Sequence, residues 1–484
     1  MNYKMMGRLT AQLLLIEGLF LIPALLISLG YGESAAVHGF VATLALIAVL
    51  AVPLYFLCRN ARSAFYATDG MVCVALSWFI LSLVGALPFR ISGAIPRYID
   101  ALFETVSGFT TTGASILPEV ESMAKGLLYW RSFTHWVGGM GVLVFLLAVA
   151  PSRGGGQGFT MHLLRAESPG PSVGKLVPKM RETAAILYLL YIALTVLNFL
   201  FLLAGKMPVL DALCTAFGTA GTGGFGIKND SMASYSPYIQ SVTTVFMLLF
   251  GVNFSCYYLL VLRQIKSVLK DEELRLYAGI VLGSIALIVW NIRGFYASLS
   301  ETVRHAAFQV GSIITTTGFA TTDFDLWPSF SKTILLCLMV VGACAGSTGG
   351  GIKVARVLLL FKSLRRSIAQ MLHPRKVQVI RNNGAVVSER VVANTNAYLC
   401  AYVIILFASF VIVSLDGFSI DTNLSAVLSC LNNIGPGLEL VGPTCNYDVY
   451  GDLSKIVLIL DMLLGRLEIF PILVLFSFQA WKNA

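Results

Sequence analysis

Charge is scarce in this chain. Of its 484 residues only 12% are Asp, Glu, Lys or Arg, while 57% are hydrophobic; a soluble chain carries about 25% charge. No water-soluble fold of this length hides so much apolar surface, so an integral membrane protein is expected. The same composition excludes disorder, collagen and a coiled coil. Cysteine is present but unorganised: nine residues with no C-x-x-C pair, most of them inside apolar runs (Cys58, Cys73, Cys256, Cys337, Cys400). That excludes a disulfide scaffold or zinc set and leaves small buried hydrophobes. Cys445 sits in a polar loop, and we assign it no role. The five His do not cluster, so no metal centre is expected. A nucleophile–base pair at membrane depth is also missing, which argues against an intramembrane enzyme.

Long apolar runs are what the chain has instead. Ten are long enough to cross a bilayer core of roughly 30 Å: 9–30, 37–58, 70–89, 127–150, 184–204, 239–262, 276–293, 331–361, 396–415 and 453–480. The first resembles a signal peptide, but its length favours a helix that stays in the membrane. Between spans lie shorter apolar runs at 99–110, 210–222, 303–315 and 421–432. They are too short to cross and too apolar for loops, so re-entrant helices are expected.

An even number of spans puts both termini on one side. Loops on that side hold 23 of the 34 basic residues, which makes it the cytoplasm. The net charge of +9 therefore reports orientation and not a nucleic-acid partner. Glu119, Glu121, Asp323, Asp325, Asp448 and Asp452 give the opposite face a mildly acidic character suited to attracting cations. The two largest cytoplasmic loops are 151–183 and 366–394. In the second, β-prone runs flank Asn382-Asn383-Gly384 and read as a hairpin, serving either as a solvated turn near lipid or as a docking element.

The short runs are copies of one another. They read DALFETVSGFTTTGA (100–114), DALCTAFGTAGTGGF (211–225), HAAFQVGSIITTTGF (305–319) and TNLSAVLSCLNNIGP (422–436). In register they place Gly113, Gly224, Gly318 and Gly435 at one position, each unit lying between two spans. The fold class expected is thus an all-α polytopic membrane protein of ten transmembrane helices. Four pseudo-symmetric span–pore helix–filter–span repeats would surround one central pore, after two N-terminal helices. The divisions would be 1–66, 67–155, 156–270, 271–366 and 367–484.

A helix that ends inside the membrane leaves carbonyls unpaired, which is tolerated only where they line a water- or ion-filled cavity. Four such turns around one axis offer carbonyl rings that replace a cation's hydration shell. The candidate filter is Thr110, Thr111, Thr112 and Gly113; Gly221, Thr222, Gly223 and Gly224; Thr315, Thr316, Thr317 and Gly318; Asn432, Asn433, Ile434 and Gly435. The bland reading, that such turns merely cap helices, suits one copy better than four. Glu104 is compatible with supporting the filter or with facing the entry.

The span at 331–361 is interrupted by VGACAGSTGGGIK (341–353). Five Gly there cannot hold a straight helix, so a flexible break lining the cavity is expected. It is not a phosphate loop, because Ile352 spoils the Walker spacing and no strand precedes it. Arg466 lies in the last apolar run with Asp461 and Glu468, at spacings that do not pair on one helix face. A charge at that depth faces a cavity or partner, so Arg466 is placed in the pore below the filter. His135 and Trp136 read as interfacial packing, and Gly138, Gly139 and Gly141 as sites of close helix contact.

These repeats, the leading helix pair and FTHWVGGMGVLVF (133–145) resemble the Trk/Ktr/HKT superfamily of potassium transporters, and within it the membrane subunits of bacterial Trk systems. The resemblance covers the whole chain. It implies potassium as the transported substrate, with glycine in the first filter position (Gly113) going with potassium over sodium. A gate is implied too, comprising Gly342, Gly346, Ser347, Thr348, Gly349, Gly350 and Gly351 with Arg466. Further implications are a homodimer in a bacterial inner membrane and a cytosolic nucleotide-binding (RCK-type) regulatory subunit near 151–183 and 353–394. No cofactor is expected in this chain itself, any nucleotide belonging to that subunit. An ion-coupled (proton or sodium) symporter is the alternative.

Overall fold

A computed structural model describes residues 2–59, 66–141, 180–375, 378–478 and 481. Most of it is helical. Two hydrophobic helices, α1 (Tyr3–Gly30) and α2 (Ser34–Cys58), pack along each other and against the helices that succeed them in the chain. Next come α3 (Ala67–Gly85), α4 (Leu87–Ile91), the short α5 (Tyr98–Phe109) and α6 (Lys125–Gly139). The second stretch is α7 (Met180–Ala204), the short α8 (Val209–Gly221), α9 (Pro237–Phe250), α10 (Phe254–Val261) and α11 (Ile265–Lys270). The third is α12 (Glu272–Ile292), the short α13 (Leu299–Ile314), α14 (Ser329–Val341) and α15 (Val354–Leu372). The last has strands β1 (Arg381–Asn382) and β2 (Ala385–Val386), then α16 (Glu389–Val413), the short α17 (Ile420–Leu431), α18 (Asp452–Arg466) and α19 (Phe470–Leu475).

The four short helices start and end within a few residues of expectation, and their inward faces are fully buried. Each carries an acidic residue in its first turn, favourable beside the positive end of a helix. Their packing is cyclic: α6 lies on α8, α9 on α13, α14 on α17, and α18 on α5. Each helix after a turn therefore supports the next short helix, and the last closes on the first. Around this ring, side chains such as Leu19, Val49, Leu189, Leu282 and Ile404 point outward and exposed, as suits contact with lipid.

Continuous spans are fewer than expected. Among the described residues six helical segments are long and apolar enough to cross a membrane: Tyr3–Gly30, Ser34–Cys58, Thr68–Ile91, Glu182–Ala204, Glu272–Ile292 and Glu389–Asp416. The run at 239–262 is not straight, since α9 and α10 meet at 91°. Helix α18 likewise stops at Arg466, and Glu468 and Ile469 take φ of 54° and 69° before α19. In the first stretch α6 ends at Gly139, with Gly141 at φ 82°; residues 142–150 of that expected span lie outside the described residues. An interruption was expected only after α14, yet the helix following every short helix breaks. At two of these breaks the helix lies close to a short helix: Gly138 and Gly465 pass so near the ends of α5 and α17 that a Cβ would lie 1.9 Å from the Phe109 oxygen and 2.1 Å from that of Leu431.

The Asn-Gly hairpin forms as read. Arg381 pairs with Val386 and Asn382 with Ala385, and both turn residues, Asn383 and Gly384, have positive φ (49° and 80°). That is the type I′ geometry matching strand twist.

Candidate functional site

Each short helix ends in the same backbone turn. Thr111 N–H donates to Gly108 O and Thr112 N–H to Ser107 O; the equivalent pairs are Thr222–Thr219 with Gly223–Gly218, Thr316–Ile313 with Thr317–Ser312, and Asn433–Cys430 with Ile434–Ser429. This double bond pattern is a Schellman cap. The capping reading is thus correct as far as it goes, but the left-handed residue is not the glycine. It is Thr111, Thr222, Thr316 or Asn433, at φ 57°, 53°, 58° and 55°. A β-branched residue is a genuine outlier there, at a cost of roughly 1–2 kcal/mol. Three threonines held in that conformation mark a place where the chain stores strain.

The glycines come two residues later, with φ between 74° and 104°. A Cβ on Gly113 would lie 2.1 Å from Gly223 O, on Gly224 1.9 Å from Thr317 O, on Gly318 2.1 Å from Ile434 O, and on Gly435 2.8 Å from Thr112 O. Each glycine is therefore pressed against the carbonyl one residue before the matching glycine of the next unit, with the same sense all the way round. The sixteen residues singled out from the sequence meet in one ring.

Side chains of the ring turn back onto their own helices. Thr110 Oγ1 donates to Val106 O (2.6 Å) and pairs with Thr112 Oγ1 (2.8 Å); Thr315 repeats this with Gly311 O (2.6 Å) and Thr317 Oγ1 (2.7 Å). Asn432 Nδ2 reaches Leu428 O and Tyr402 Oη, while Asn433 Nδ2 crosses to Thr112 Oγ1 (2.9 Å) and Met462 O (2.8 Å). The backbone oxygens of Thr111, Thr112, Thr222, Gly223, Thr316, Thr317, Asn433 and Ile434 accept no hydrogen bond from the described residues. Eight buried carbonyls in that state suit a cation that supplies the missing partner.

Buried charges brace the ring. Glu104 accepts from Arg131 Nε (2.6 Å), Ser115 Oγ (3.0 Å) and Ile116 N–H (3.0 Å), so it supports the first turn and does not face the entry. Arg131 continues to Gly226 O (2.9 Å) and lies 3.6 Å from the Phe225 ring centre, joining the first turn to the second. His135 is fully buried and not interfacial. Its Nδ1–H faces Gly108 O (2.8 Å), and Nε2 accepts from Phe225 N–H (3.2 Å). Lys455, also buried, meets Asp100 at 2.8 Å and ties the fourth unit to the first. Sequence reasoning missed Arg131, Lys455 and the role of His135. The available signal was an unpaired charge in an apolar run, such as LLYWRSF, because a charge there needs a partner.

Above the glycines an open depression is bounded by Gly113, Gly224, Gly318 and Gly435, by Arg131, and by residues of the loops 436–447 and 226–231. The acidic residues of this side mostly tie loops together. Asp325 meets Lys332 (3.4 Å) and accepts from Glu439 N–H, Asp448 meets Lys455, Asp452 meets Arg97, and Glu121 accepts from Asn229 N–H. Hydroxyls of Ser419 and Thr422 hold Glu439 below the usual carboxylate range. Of the six acidic residues of this face, Asp325, Asp448 and Asp452 are thus paired with a basic side chain.

Below the ring lies the segment 342–353. Gly350 N–H donates to Thr316 Oγ1 (2.6 Å) and Gly351 N–H to Asn432 O (3.1 Å), so the glycines touch the third and fourth turns directly. A Cβ on Gly350 would sit 2.4 Å from Asn432 O, which is why side chains are excluded there. Arg466 donates to Thr348 O (3.1 Å) and, across the ring, to Gly138 O and Gly139 O. Glu468 pairs not with Arg466 but with Arg356. Arg356 and Lys353, which sequence alone would assign to a cytoplasmic loop, are buried here, and Lys353 Nζ donates to Gly349 O (2.5 Å).

Known proteins resemble this chain over its whole length. A family model described as TrkH, cation transport protein, matches residues 33–292 and 293–482. The Trk system potassium uptake protein TrkH of Salmonella typhimurium is 35% identical over 491 residues, covering all of both chains. TrkG of Escherichia coli K12 is 33% identical, covering 100% of this chain and 99% of its own. The crystal structure of the potassium transporter TrkH from Vibrio parahaemolyticus matches with a TM-score of 0.88 at 32% identity, covering 99% of this chain and all of that one. The chain belongs to the TrkH family of cation transport proteins.

Proposed function

We propose that this protein conducts potassium into the cell through the ring of carbonyls at 110–113, 221–224, 315–318 and 432–435. In this reading the four units are pseudo-symmetric repeats about one pore. The observation that carries it is the closed circuit of glycine–carbonyl approaches, one per unit and all of one sense. Unpaired carbonyls supply the cation's coordination, and the C-terminal ends of four short helices add partial negative charge on the same axis. Potassium as the cargo is supported by the relatives, which are potassium uptake proteins.

Segment 342–351 and Arg466 form the gate. The glycines occupy the space beneath the third and fourth turns, and the guanidinium that holds them opposes a cation by charge. Arg466→Ala removes both effects, so cation uptake into vesicles should rise severalfold; unchanged uptake would argue against the gate. The assembly we envisage is a homodimer in a bacterial inner membrane with cytoplasmic termini. A cytosolic nucleotide-binding subunit would dock near 151–183 and 353–394. Residues 151–179 of the first segment lie outside the described residues.

Flux of potassium, rubidium, sodium and lithium in reconstituted vesicles tests the filter, with Gly113→Ser as the diagnostic variant. A Cβ at 113 would meet Gly223 O at 2.1 Å and disturb one corner of the ring, and the family resemblance ties glycine at this position to potassium, so the preference for potassium over sodium should fall by tenfold or more, roughly 1.4 kcal/mol of discrimination. Equal flux of all four cations, unaltered by the substitution, would refute the assignment.

A further inference from the structure

The gate segment is held from behind by a group that faces the cytoplasmic hairpin through its chain neighbours. Glu273, in the first turn of α12 and buried, accepts from Ala345 N–H (2.5 Å) inside the segment and from Ala355 N–H (3.2 Å) just after it. One carboxylate oxygen thus closes both arms of the loop. The two preceding residues point the other way. Asp271 accepts from Asn383 Nδ2 (2.7 Å), and Glu272 exchanges two bonds with Asn383: its N–H to Oδ1 (2.9 Å) and Asn383 N–H to its carboxylate (3.1 Å). Lys362 of α15 adds contacts to the Glu272 carboxylate and to Arg381 O (2.7 Å). Arg366 of α15 makes a two-pronged pair with Glu389, the first residue of α16 beyond the hairpin.

We infer that Asn383 and Glu273 are the two ends of a relay, positioning residues through which displacement of the 381–386 hairpin loosens segment 342–353. The junction at 271–273 is three consecutive residues whose side chains divide between the hairpin and the loop, so the hairpin contacts and the inner clamp share one helix end. Both flanks of the loop respond, since α15 is tied to the same hairpin by Lys362 and to the start of α16 just beyond it by Arg366. A hairpin that was only a solvated turn would need none of these bonds. This inference rests on the gate proposed above and assigns its cytoplasmic input.

The test uses the full chain in vesicles, without any partner, and reads rubidium uptake. Asn383→Gly keeps the turn, because glycine accepts φ 49°, but removes both side-chain bonds of the tip. Glu273→Ala removes the inner clamp, whereas Glu273→Gln retains an acceptor oxygen. We expect Asn383→Gly and Glu273→Ala each to raise uptake about fivefold, the shift that one net hydrogen bond supplies. The double variant should exceed neither single one by much, rubidium-over-sodium preference should be unchanged, and Glu273→Gln should stay near the parent. If Glu273→Ala does not fold, Asn383→Gly decides alone. No change with Asn383→Gly overturns the relay, even where Glu273→Ala raises uptake and is merely a local brace. Parent vesicles that take up no more rubidium than protein-free ones would overturn the transport reading itself, and the relay with it.

Discussion

Arg131→Ala is expected to destabilise the fold by about 3–5 kcal/mol, the penalty for leaving a buried charge without its partner. The loss would be read as a lowered midpoint of thermal unfolding in detergent. Glu104 would remain buried with Ser115 and Ile116 as its only donors, and the span between the first and second turns would lose its link at Gly226. Removing Glu104 alone should cost a comparable amount. Removing both should cost clearly less than the sum, because no uncompensated charge then remains. Additive losses would show that the two side chains act independently and that the pair does not brace the ring. Rubidium uptake by surviving Arg131→Ala protein should fall together with cation preference, since Arg131 links the segments that directly follow two of the four turns.

Gly224→Ala is the second large effect, and it falls on transport. The added methyl would meet Thr317 O at 1.9 Å, a backbone atom that cannot step aside, at a φ of 74° that alanine resists. Either the third turn is driven outward or the second one flips. Both break the circuit, so potassium uptake should drop to the level of protein-free vesicles while the helices remain folded. Gly279→Ala and Gly283→Ala serve as controls. Both lie in α12 with nothing within 4 Å of the new atom, and there alanine should be neutral or mildly favourable. Normal uptake through Gly224→Ala would mean that the ring is not the path.

Much of the site was legible because it is repeated. The glycine register, the short apolar runs and the Asn-Gly hairpin are local signals, each tied to a backbone requirement that few residues meet. What the chain could not disclose was partnership. Glu104 and Arg131 are 27 residues apart, and Lys455 and Asp100 are 355 apart; nothing in either neighbourhood says which charge answers which. The expected straight spans failed for a related reason. Apolarity measures length in the membrane but is blind to a helix pressed against the end of another, as α6 and α18 are at Gly138 and Gly465.

By itself the sequence determined that this protein lives in a membrane, that four short apolar runs end alike, and that a glycine stands at the same place in each. Composition and repeats suffice for that, since lipid leaves backbone groups few ways to be satisfied. Only the tertiary structure decided why the glycine is needed, placing its Cα against a neighbour's carbonyl while threonine or asparagine takes the capping role. It also decided that Arg466 holds the loop with backbone oxygens from two units and leaves Glu468 to Arg356. Such choices depend on which chemical groups meet across the ring, and contact between distant residues is a property of the packed chain.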